Sequence, residues 1–148
     1  MADLVSETRR LFEAYSAQSD AALGTPADFN LDVIIHSYAP YMVGSSPKGV
    51  FGAANDDALR KALPQSFAHY RAVGGTSMKA THIAVTPLDA LHAIAHVDWD
   101  FAYTNKAGES GHVTFRNLYF VTIASGEPKI FAYITPDEEA AMEEHGLV

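Results

Sequence analysis

Residues 91–103, Leu-His-Ala-Ile-Ala-His-Val-Asp-Trp-Asp-Phe-Ala-Tyr, alternate without a break. Leu91, Ala93, Ala95, Val97, Trp99, Phe101 and Tyr103 fall on one face of an extended chain. His92, Ile94, His96, Asp98, Asp100 and Ala102 fall on the other. Side chains of a strand point alternately to its two faces, so this period of two predicts a long β-strand with one buried face. A strand of this kind needs neighbours of similar length and a second layer to cover its apolar side.

The neighbours are legible on both sides. Residues 78–86 read as a strand, and Pro87-Leu-Asp89 as the turn into the organising strand. Asn105-Lys-Ala-Gly108 turns the chain back into a second long strand over residues 112–124. Its inner face carries Val113, Phe115, Asn117, Tyr119, Val121 and Ile123. Ser125-Gly-Glu-Pro128 turns again, and residues 129–134 complete a meander.

Before the meander the pattern is helical. Leu4, Thr8, Leu11, Phe12 and Tyr15 share one helix face and predict a helix over residues 3–18. Thr25-Pro-Ala-Asp28 has the chemistry of a second helix start, followed by Leu31, Ile34, Ile35 and Tyr38 and ended by Ala39-Pro40. Residues 41–43 and 50–51, around Gly44-Ser-Ser-Pro-Lys-Gly49, read as a small hairpin. Asn55-Asp-Asp opens a third helix with stripe residues Leu59, Leu63, Phe67 and Tyr70, which Pro64 is expected to kink or split and Gly74-Gly75 to stop. Thr135-Pro-Asp-Glu138 repeats the Thr25 logic and opens a short helix running to His145. Helices segregated from a run of antiparallel strands mean an α+β chain, expected to be a single domain over residues 1–148.

Composition narrows the function. The 18 acidic and 10 basic side chains leave a formal charge of −8, with no Lys/Arg cluster. That excludes an electrostatic footprint for nucleic acid or an anionic membrane. There is no cysteine, hence no disulfide or thiolate metal site. The start of the chain lacks the apolar core of a signal peptide, so a soluble, cytoplasmic protein is the expectation. No phosphate loop, dinucleotide fingerprint or nucleophile elbow is present, and no cofactor is expected. His96, Asp98 and Asp100 share a strand face, but alternate residues lie about 7 Å apart, too far along one strand to wrap a metal ion. Arg116 on the next strand is the expected partner for an aspartate there.

Ser37-Tyr-Ala-Pro40 before the hairpin, Val97-Asp-Trp-Asp-Phe-Ala-Tyr103, His112-Val-Thr-Phe-Arg-Asn-Leu-Tyr-Phe-Val121 and Lys129-Ile-Phe-Ala-Tyr133, in this order of elements, resemble the nuclear transport factor 2-like superfamily. SnoaL-like polyketide cyclases and ketosteroid isomerase belong to that group. The resemblance implies a cone: a strongly curved mixed or antiparallel sheet of about six strands packed on three helices, with a short C-terminal helix and a pocket at the wide end. It implies little about reaction, because one fold hosts many. Carried over by position, the pocket tyrosine of the first helix is Tyr15, the place of the carboxylate base holds Ser45 or Ser46, and the place of the second acid holds Asn117. With both carboxylates absent, ketosteroid-isomerase chemistry is not expected.

The remaining expectation is a pocket for a small, largely apolar organic ligand, lined by Tyr15, Tyr38, Tyr41, Trp99, Phe115, Asn117 and Tyr119. His36 is the candidate acid/base group, since histidine titrates near neutral pH. The reactions open to such a site are those of a cofactor-independent isomerase, cyclase or dehydratase; the alternative is a non-catalytic binding or dimerisation module. Arg116, Leu118, Phe120, Phe131 and Tyr133 are expected on the outer sheet face, an apolar patch suited to a homodimer.

Overall fold

A computed structural model describes residues 3–148. Helix α1 spans Leu4–Ala22, α2 Leu31–His36, α3 Asp57–Ala72 and α4 Glu138–Glu144. The strands are β1 Tyr38–Ser46, β2 Gly49–Ala54, β3 Gly75–Pro87, β4 His92–Thr104, β5 Ser110–Thr122 and β6 Lys129–Ile134. They form one sheet in the order β2-β1-β6-β5-β4-β3, in which β1 and β6 run parallel and all other pairs antiparallel. The architecture is the expected α+β: a six-stranded mixed sheet, three helices and a short C-terminal helix. Register shifts within the β1–β6, β3–β4 and β5–β6 pairings bend the sheet where they occur. No described helix is long and apolar enough to cross a membrane.

The organising strand has the expected faces from His92 onward, whereas Leu91, expected on the buried face, lies in the preceding bend and is 45% exposed. Ala93, Ala95, Val97, Trp99, Phe101 and Tyr103 are buried, while His92, Ile94, His96, Asp98, Asp100 and Ala102 are half-buried. Opposite them on β5, Val113, Asn117, Tyr119 and Val121 are buried. Helix α1 closes this face with Leu4, Thr8, Leu11 and Phe12, each buried.

Local expectations for each of the four helices need correction. Helix α1 runs past residue 18 because its last turns bond to the free edge of β3 instead of burying an apolar stripe. Ser16 Oγ accepts from the Ala80 N–H, and Asp20 Oδ1 accepts from the Met78 N–H and the Ser77 hydroxyl. An uncovered sheet edge is thereby satisfied. Helix α2 starts at Leu31, not after Thr25, because the Asn30 side chain caps it by accepting from the Asp32 N–H. It ends at His36, and Tyr38 belongs to β1, since the neighbouring Ser37 carbonyl already accepts from the Ile130 N–H of β6. Helix α3 passes through Pro64 as one element: the carbonyl deprived of its donor is that of Arg60, an exposed residue where water can serve. Asp137, not Thr135, caps α4 by accepting from the Ala140 N–H. That choice puts Glu138 at the first helical position.

The outer face changes at one residue. Between Phe120 and Val121 the β5–β6 register shifts, so Tyr133 pairs with Tyr119 and Ile130 with Val121. Paired residues share a face. Tyr133 therefore points inward with Tyr119, packs against the core and lies 6.0 Å, ring to ring, from Phe51. Phe131 stays outside, 6.2 Å from Phe120 and 6.1 Å from His92.

Candidate site in the cone

Tyr15 from α1, Trp99 from β4 and Phe115, Asn117 and Tyr119 from β5 line one cavity of about 90 Å³. Ser19 from α1, Phe67 and Tyr70 from α3, Met78 from β3 and Glu138 from α4 complete it. A second cavity of about 220 Å³ adjoins it, sharing Met78, Phe115 and Glu138 and running beneath Ala141 and Met142 of α4. Strand alternation supplies the wall. Trp99 opposes Phe115 and Val97 opposes Asn117 across β4 and β5, so one face of both strands meets α1.

The polar atoms form two hydrogen-bonded groups. Tyr119 Oη accepts from Trp99 Nε1 at 3.1 Å and from Asn117 Nδ2 at 3.0 Å. The Tyr15 and Tyr38 hydroxyls lie 2.7 Å apart, and the Tyr15 ring meets Trp99 edge-on at 5.9 Å. Burial pushes the Tyr15 phenol up to about 12. Burial likewise raises Tyr38, Tyr70 and Tyr119, so all four hydroxyls stay protonated near neutral pH. Asn117 Oδ1 is buried without a partner. Turning the amide over would let Tyr119 donate to the oxygen and orphan the nitrogen instead. Either way one polar end of the amide is unmatched, at a cost of roughly 1–3 kcal/mol. An Asn117→Leu variant is therefore expected to match or exceed the parent in urea melts while losing ligand response. A loss of stability with ligand response intact would make the amide structural.

At the other end of the cavity sits a carboxylate. Tyr70 Oη donates to the two oxygens of Glu138 at 2.8 and 3.0 Å. Burial raises the Glu138 carboxyl above its ordinary value, opposed by the Tyr70 hydrogen bond and by His69. No described Lys, Arg or His forms an ion pair with it.

The sequence-based set is thus divided. Tyr15, Trp99, Phe115, Asn117 and Tyr119 come together, and Tyr38 reaches them through Tyr15. Tyr41 does not: it is 60% exposed on the outer side of β1, its ring against Gly52. His36 does not either. Its Nε2 lies 2.9 Å from Glu127 Oε2 in a surface groove with Glu7 and Arg10. Glu138 and Tyr70 join the site without a signal of their own in the sequence. A glutamate in the first turn of a helix is explained by the helix dipole, and Tyr70 by the apolar stripe of α3. Glu138 lines the cavity from the first turn of α4, next to the Asp137 cap. Outside the cone, Asp98 pairs with Arg116 at 2.7 Å and Asp100 meets His112 at 2.7 Å.

No protein-family model and no curated protein matches the chain. Solved structures do match. A nuclear transport factor 2-like protein of unknown function from Shewanella oneidensis MR-1 superposes with a TM-score of 0.59 at 15% identity, over 90% of this chain and 98% of that one. A protein of unknown function with a cystatin-like fold from Nostoc punctiforme gives 0.57 at 10% identity, over 89% of each chain. A ketosteroid isomerase-like protein from Erwinia carotovora atroseptica gives 0.55 at 19% identity, over 86% of this chain and 93% of that one. The chain has the nuclear transport factor 2-like, cystatin-like α+β fold.

Proposed function

We propose that the protein binds a small, largely apolar organic ligand in the cone, between α1, α3 and the inner faces of β4 and β5. The observation that carries this reading is the unmatched amide end of Asn117 in a cavity walled by Tyr15, Phe67, Trp99, Phe115 and Tyr119. Buried polar groups are nearly always partnered, and a ligand atom is the natural partner of one that is not. Proton transfer without a cofactor is the reaction class such a site admits, that of an isomerase, cyclase or dehydratase. Glu138 takes the acid/base place that the sequence reading gave to His36: it lies in the cavity, and its carboxyl is shifted towards neutral pH. Nuclear transport factor 2-like and ketosteroid isomerase-like neighbours support a ligand-binding or isomerase-type fold.

One observation favours the second reading, a non-catalytic module. The central cavity of about 90 Å³ is small beside the roughly 300–1,000 Å³ usual for ligand sites. Fluorescence separates a ligand-binding cone from a module that only dimerises. Trp99 is the only tryptophan and lines the cavity, so a panel of small apolar and aromatic compounds is expected to include binders that shift or quench its emission. A flat response to every compound that binds by calorimetry would remove the cone as the site.

The outer sheet face fits a homodimer. Leu118, Phe120 and Phe131 form its apolar part beside Arg116, with Tyr133 withdrawn to the interior. Native mass spectrometry at micromolar concentration is expected to give a dimer, and Phe120→Asp a monomer; a monomeric parent protein would refute the interface.

A further inference from the structure

We infer that the ligand of the cone is a small organic cation, a protonated amine on an apolar body, whose ammonium pairs with the Glu138 carboxylate. This rests on the reading of the cone as a ligand site and goes beyond it by naming the charge of the ligand. Glu138 is the only ionisable side chain lining the central cavity apart from its tyrosines. In its ionised form it is an anion in partly dehydrated surroundings, with one phenolic donor and no ion-pair partner among the described residues. Burying a charge is costly until a counter-charge joins it.

The walls suit the same ligand. Six aromatic side chains surround the space: Tyr15, Phe67, Tyr70, Trp99, Phe115 and Tyr119. Aromatic faces attract cations, and tryptophan and tyrosine do so best. In the orientation the structure holds, the unmatched end of Asn117 is its oxygen, a second acceptor for an N–H. The adjoining cavity shares Glu138 and is lined largely by Met78, Phe101, Val113, Phe115 and Met142, which gives the apolar body a place beside the charge. Arg116 borders that second cavity, but its guanidinium is held by Asp98 through Nε at 2.7 Å and a second nitrogen at 3.1 Å. The net charge of −8 favours approach of a cation over an anion.

Four probes of similar shape test this at neutral pH, by Trp99 emission and calorimetry: 2-phenylethylamine, 2-phenylethanol, 3-phenylpropionate and acetophenone. The amine is expected to bind about tenfold or more tighter than the alcohol, equivalent to about 1.4 kcal/mol, and 3-phenylpropionate weakest. Glu138→Gln, confirmed folded by circular dichroism, is expected to bring the amine down to the level of the alcohol. Equal binding of amine and alcohol would overturn the inference, as would unchanged amine affinity in Glu138→Gln. Preferential binding of acetophenone, whose carbonyl the tyrosine hydroxyls can donate to, would also overturn it while leaving the cone a ligand site. If none of the four binds the parent protein, the inference falls; the reading of the cone as a ligand site then stands or falls on the wider apolar panel.

Discussion

Truncating Phe12 to alanine is expected to cost about 3–5 kcal/mol, the usual penalty for deleting a fully buried aromatic ring. Phe12 has no solvent exposure and is the largest wholly buried side chain of the fold. It stands on α1, the helix that covers β3 and β4, and its ring lies 4.7 Å from Tyr119 and 6.3 Å from Tyr15. The loss therefore reaches the site as well as the core: two of the three tyrosine rings that line the cavity, Tyr15 and Tyr119, rest on Phe12. For a chain of this length, each kcal/mol moves the melting temperature by roughly 2–4 °C, so Phe12→Ala is expected to melt roughly 10 °C lower. A fall of less than 2 °C would mean that α1 does not seal the sheet as described.

Much of this arrangement is legible in the chain. Strict alternation marks β4 because a strand with one buried face leaves no freedom at any position. The inner set of β5 follows from the same rule, and with it the grouping of Trp99, Phe115, Asn117 and Tyr119. Periodicity fails where a strand gains a residue. The shift between Phe120 and Val121 carries Tyr133 from the expected outer face to the inner one, and nothing in Lys-Ile-Phe-Ala-Tyr-Ile announces it. Helix ends fail for a related reason. Thr25 and Thr135 have the right capping chemistry, yet Asn30 and Asp137 cap instead, because the choice among nearby candidates is made by what the preceding strand or helix has already fixed.

The site was half legible on the same terms. Its aromatic wall follows from strand geometry. Its carboxylate comes from the first turn of α4, far along the chain from the strands that build the wall. Where ketosteroid isomerase carries acids by position, the end of β1 holds Ser45 and Ser46 and the inner face of β5 holds Asn117. A carboxylate delivered from α4 lies outside any such matching. His36 attracted interest through its intrinsic titration range, but its side chain is 71% exposed beside Glu127. Chemistry without burial made it a surface ion pair.

Glu138 is where stability and ligand recognition are expected to oppose each other, and Glu138→Gln tests this without changing size. Burial raises the carboxyl above its ordinary value of 4.5, so the folded protein holds this proton more tightly than the unfolded chain. The folded state is then the one that binds more protons, and stability from this group declines as pH rises from about 4.5 through the raised folded value. This is the reverse of a salt-bridged carboxylate such as Asp98, which Arg116 holds below its ordinary value. Glutamine keeps an oxygen to accept from Tyr70 and removes the uncompensated charge. At pH 7 the variant is expected to melt above the parent, and the gain is expected to shrink below pH 4, where the parent's Glu138 is neutral in both states. Adding saturating amine is expected to narrow or reverse the order at pH 7, because the ammonium binds the protein that carries the carboxylate more tightly and so stabilises it more. A variant that melts below the parent by the same margin at both pH values would show that Glu138 acts through its hydrogen bond to Tyr70 and not through its charge.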